Sequence, residues 1–63
     1  MEQKPKVKLT GQDGNVFNLL GICKRALERA NLREESKQLT QRVFNCSSYG
    51  EALVIMEEYC EIS

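Results

Sequence analysis

Residues 9–21, LTGQDGNVFNLLG, decide the fold, because the apolar period of the chain changes across them. Before the stretch, residues 6–10 alternate. Val7 and Leu9 point one way and Lys6, Lys8 and Thr10 the other, which is the two-residue period of a half-buried strand. Pro5 suits the start of such a strand, and lysines on its outer face discourage edge-to-edge pairing. After the stretch, Val16, Leu19, Leu20, Cys23, Ala26, Leu27 and Ala30 recur at 3.6 residues per turn, while Asn18, Arg25 and Arg29 gather opposite. This predicts a helix over 15–30, capped by Asp13 or Asn15 and ended by Asn31 in a left-handed conformation.

Three of the four glycines lie in this stretch, which raises the question of a phosphate cradle. A Walker loop requires Lys after its last Gly, and neither Gly14 nor Gly21 is followed by one. A dinucleotide fingerprint requires Gly-x-Gly-x-x-Gly, which is absent. The Gly-x-x-Gly loop of KH domains has a formal match in GQDG, residues 11–14. Asp13 would set a carboxylate against the phosphates there, and the further strands of that domain are missing. The stretch reads instead as a turn: Asp13-Gly14 bends the chain, Gly tolerates positive φ, and the strand becomes a helix.

Two more helices follow. Leu32, Leu39, Val43 and Cys46 give a narrow apolar side to residues 34–45, with Phe44 at the flank. Glu34 and Glu35 in its first turn and Arg42 in its last complement the helix dipole. Ser48 with Glu51 three residues on forms a capping box. Tyr49, Ala52, Leu53, Met56, Tyr59 and Cys60 then make a stripe that ends near residue 60. The fold class expected is α+β: a short amino-terminal strand followed by three amphipathic helices, in one domain over residues 1–63. A lone strand must find a mate, either the terminal CEIS or the same strand of a second subunit. The second is the expectation, because helix 3 consumes most of the tail.

With 63 residues, the chain hides only about 60% of the surface its unfolded form exposes. It is 41% hydrophobic and 29% charged with zero formal net charge, a balance unlike that of a bulk-electrostatic nucleic-acid or membrane binder. The charges are uneven. Residues 1–42 hold nine bases and five acids, a net of +4, and residues 43–63 hold four acids and no base, a net of −4. The two halves can attract each other, within one chain or between two, or serve only as a solvated surface. No apolar run approaches a membrane span and no signal peptide is read, so the cytoplasm is the expected setting. Cys23, Cys46 and Cys60 are odd in number, without Cys-x-x-Cys spacing or any His, and read as free thiols, with Cys23 buried. No metal and no cofactor is expected.

Catalysis is not expected either. There is no His for acid–base work, the thiols lack an activating base, and adjacent Glu57 and Glu58 point apart on their helix. A domain this small also leaves little room for a small-molecule substrate. The favoured function is a non-catalytic protein-interaction module whose partner is a second copy (a homodimer) or another protein. Phe17, Gly21, Lys24, Val7 and Leu9 form its candidate surface. Phe17 lies off the apolar stripe, and a mid-helix Gly, roughly 1 kcal/mol worse than Ala, suggests that another backbone approaches Gly21. The local alternative packs Phe17 on Val7 or Leu9. The competing function is weak, salt-sensitive nucleic-acid binding by Arg25, Arg29, Arg33 and Lys37, with no aromatic interleaved.

Gly11, Gly14, Asn15, Phe17, Leu19, Leu20 and Gly21 carry one resemblance. VKLTGQDGNVFNLLG looks like the opening of small uncharacterised bacterial and phage-borne proteins, with an echo in the ending IMEEYCEIS. The resemblance implies a strand–turn–helix opening and transfers no catalytic residue.

Overall fold

The computed structural model describes residues 4–9, 11 and 14–62. Thr10, Gln12, Asp13 and Ser63 lie outside the described residues, and with them the outward position of Thr10 and the turn and cap expected of Asp13. The order of elements is β1 (Lys6–Val7), α1 (Val16–Arg29), α2 (Arg33–Asn45), α3 (Tyr49–Tyr59) and β2 (Glu61–Ile62). The fold is a small α+β arrangement with a two-stranded parallel sheet.

The strand's mate lies in the same chain, not in a second subunit. Lys6 pairs with Glu61 and Val7 with Ile62, and the Glu61 amide donates to the Pro5 carbonyl at 2.8 Å. The physical reason is that α3 stops at Tyr59. Cys60 already has extended dihedrals (φ −134°, ψ 148°), which frees the last residues to run beside β1. The ladder covers two residues of the expected five, with Val7 buried, Leu9 half-buried, and Lys6 and Lys8 exposed.

Local signals place the helix ends. Asn15 caps α1, its side chain accepting from the Phe17 amide at 2.8 Å. At the other end Asn31 is left-handed (φ 66°). The Leu32 amide reaches back to the Leu27 carbonyl and the Asn31 amide to that of Glu28, at 2.8 and 3.1 Å. This is the Schellman pattern, in which the residue after the left-handed one returns to the core; Leu32 does so. Ser48 caps α3 by accepting from the Glu51 amide at 3.2 Å, while the Glu51 carboxylate takes the Ser47 amide. Among the described glycines the positive φ belongs to Gly11 (82°), not to Gly14.

Leu19, Leu20, Cys23, Ala26 and Leu27 of α1 meet Leu39 and Val43 of α2 and Ala52 and Met56 of α3, with Val7 and Cys60 closing the core. Ala30, read as the end of the α1 stripe, is exposed, because the helix has ended and Ala30 serves as its C-cap. Phe17 beside Phe44, and Glu28 beside Ser36, make α1 and α2 antiparallel. Arg42 near Glu58 and Tyr59 instead brings the last turns of α2 and α3 together, as in steeply crossed rather than antiparallel neighbours. That contact also joins the basic front to the acidic tail within one chain. Both guanidinium ends donate to the Glu58 carboxylate, at 2.8 and 3.2 Å, and Arg42 lies over the Tyr59 ring, 5.6 Å from its centroid. The pair holds the Glu58 carboxyl below its ordinary value and Arg42 above, chiefly through these hydrogen bonds. It is exposed, so its contribution to stability is small.

A candidate docking face on the α1–α2 seam

Helical spacing puts Phe17, Gly21, Lys24 and Glu28 in one row of α1, and Arg33, Lys37, Gln41 and Phe44 in one row of α2. The antiparallel pairing lays the two rows side by side along the seam. At one end the Phe17 and Phe44 rings meet, with centroids 6.0 Å apart and planes tilted by 55°, within the range of favourable aromatic pairs. Both side chains remain 63% exposed. Tyr49, also largely exposed, stands nearby and lines an apolar depression of about 290 Å³ with Phe17, Phe44 and Cys46. Its hydroxyl donates to the Gly14 carbonyl at 2.6 Å, which ties the start of α3 to the start of α1.

Toward the other end the seam opens into a groove of about 580 Å³, lined by Lys24 and Glu28 from α1 and by Arg33, Ser36, Lys37 and Gln41 from α2. Ser36 is buried and its hydroxyl donates to the Glu28 carboxylate at 3.4 Å. A second depression beside the groove is lined by Arg25, Glu28 and Arg29. The two together hold five bases, Lys24, Arg25, Arg29, Arg33 and Lys37, and one acid, Glu28, a net of +4. Among the described residues none of these five bases is in an ion pair.

The residues expected to form one surface are divided by the fold. Phe17, Gly21 and Lys24 share the seam. Val7 is buried in the core, and Leu9 lies in a different depression with Leu19, Leu53 and Ile62. Phe17 meets the ring of Phe44, which α2 carries in from the far end of the hairpin, and the depression they line includes neither Val7 nor Leu9. Among the described residues no other backbone comes within 4 Å of a Cβ at Gly21, which would meet only the Arg25 guanidinium, at 3.9 Å. The cations of the competing reading, Arg25, Arg29, Arg33 and Lys37, are all exposed on this side.

Two contributors were missed in the sequence. Phe44 falls at the flank of the apolar side of α2, although its spacing from Gln41 and Lys37 places it in their row. Ser36 falls between Leu32 and Leu39 at helical spacing, so its burial was legible from position but not from residue type.

The remaining polar chemistry is sparse. Cys23 and Cys60 are buried and unpaired, with the Cys60 thiol 3.8 Å from the Cys23 carbonyl. Burial, helped by the neighbouring Cys60, pushes the Cys23 thiol up to about 12, and burial raises Cys60 as well. Thiols in such a state are poor nucleophiles. Among the described residues no helix is long and apolar enough to cross a membrane, and no group of three or more His, Cys, Asp or Glu is placed to hold a metal ion. Comparison with protein-family models, with curated proteins and with solved structures finds no match.

Proposed function

We propose that this chain is a small non-catalytic interaction module that works in the cytoplasm and docks on a protein through the α1–α2 seam. One observation carries the reading: Phe17 and Phe44 stand together on the surface, each 63% exposed, at the end of an open groove. Contiguous apolar surface on a small domain marks a binding site, and aromatic anchors concentrate binding energy at interfaces. Gly21 adds to this. Its helix-propensity cost of roughly 1 kcal/mol answers no contact closer than the Arg25 guanidinium among the described residues, and the missing side chain leaves a notch in the helix surface where a partner can approach.

The test compares two baits. Wild-type protein and a Phe17→Ser/Phe44→Ser variant are immobilised and exposed to extract of the source cell. The expected result is at least one protein retained by the wild type and reduced tenfold or more on the variant, whose melting temperature stays within a few degrees. Exposed positions away from the core change stability by only about 0.5 kcal/mol. An identical retained set on both baits contradicts the reading, as does a variant that no longer folds, because the rings would then be core residues.

A further inference from the structure

We propose that the partner on the α1–α2 seam is a second copy of this chain, presenting the outer face of α3. The inference rests on the docking reading above and adds the identity of the occupant. Charge and spacing both point to it. The seam and its adjoining depression carry five bases and one acid. The exposed positions of α3 beyond Tyr49 are Gly50, Glu51, Val54, Glu57 and Glu58, with Glu61 exposed just past its end. These positions include no base of their own, and their centre is Val54, 60% exposed.

Some of this acidity is used at home. Glu58 is paired with Arg42 and also feels the Lys4 ammonium, which donates to the backbone carbonyl of Glu57, and the Glu51 carboxylate accepts the Ser47 amide. Glu51 and Glu57 remain outside any ion pair among the described residues. The outer face of α3 is thus an apolar residue with carboxylates one turn to either side. The seam is its complement: an apolar pair and a notch, then cations. Val54 seated in the Gly21 notch beside the phenylalanines puts Glu57 one turn further, about 5 Å along. Gly21 to Lys24 is the same axial step, and Lys37 lies across the groove. Opposite charges so placed favour this pairing and repel the seam-to-seam and α3-to-α3 alternatives.

Charge-swapped variants in sedimentation equilibrium test the proposal. The wild type should show a mass that rises with concentration above that of one chain at low salt, with less association at 0.5 M salt; joining two different surfaces, the contact does not by itself stop at two copies. Lys24→Glu/Lys37→Glu and Glu51→Lys/Glu57→Lys should each weaken self-association tenfold or more. Their equimolar mixture should restore it, because every seam again faces the opposite charge. Glu57→Lys alone, which disturbs no side-chain hydrogen bond of the cap, serves if the double variant does not fold.

A wild type that stays monomeric at millimolar concentration and low salt overturns the proposal, and so does a mixture that remains monomeric. A labelled single-stranded oligonucleotide supplies a further arm. Salt-sensitive binding by monomeric wild type, lost in Lys24→Glu/Lys37→Glu, would assign the cations to phosphates and overturn the self-docking proposal. A monomeric wild type leaves the docking reading standing or falling on the Phe17→Ser/Phe44→Ser comparison alone.

Discussion

Native protein treated with an alkylating reagent at pH 8 is expected to react first at Cys46 and far more slowly at Cys23. The thiolate is the reacting species. The Cys23 thiol is raised from 9.0 to about 12 by burial and by Cys60, and three pKa units mean roughly a thousandfold less thiolate at a fixed pH. Cys46 is half-buried at the end of α2, its thiol donating to the Val43 carbonyl at 3.0 Å. Mass-spectrometric rates for the three sites decide the matter; equal rates at Cys23 and Cys46 would show that the core does not close over α1. The same shift has a stability consequence. A thiol whose folded pKa lies above its unfolded value gives its full contribution below about pH 9 and loses it as the pH climbs toward 12. Wild type should therefore lose stability faster than Cys23→Ala over that window.

Leu39→Ala is expected to unfold much of the population at room temperature or to lower the melting temperature by more than ten degrees. Leu39 is fully buried between α1 and α3, and truncating a buried Leu costs about 2–5 kcal/mol. At about 0.05–0.15 kcal/mol per residue, a domain of this length has only about 3–9 kcal/mol in all. Phe44→Ala, five residues further along the same helix, removes a larger side chain from an exposed position and should cost under about 1 kcal/mol. Circular dichroism melts of the two variants check both statements. A Phe44→Ala loss equal to that of Leu39→Ala would mean that the aromatic pair holds the fold together.

The contrast between these two residues shows what the sequence made legible. Period alone located Leu39, Leu27 and Met56, because a helix with one apolar stripe has one way to bury it. Caps were legible for a similar reason: Asn15, Asn31 and Ser48 satisfy backbone groups within a few residues of themselves. The mate of β1 was harder to read. Whether Glu61 and Ile62 extend α3 or turn into a strand is decided by Pro5 and Lys6, more than fifty residues away, and no local pattern reports that choice. The docking face was half legible for the same reason. Phe17 was visible as a residue off its stripe, yet its pairing with Phe44 depends on how two helices align. Val7 and Leu9 shared its neighbourhood in the chain without sharing its surface.

The most direct test of the docking face is a two-dimensional ¹H–¹⁵N map of the labelled protein, recorded free and with its partner bound, whether that is a second copy at high concentration or a captured protein. The expected shifts cluster at Phe17, Gly21, Lys24, Lys37, Gln41 and Phe44, with a second group around Val54 and Glu57 when the partner is the same chain. Shifts confined to Leu9, Leu53 and Ile62, with the seam unperturbed, would contradict the account.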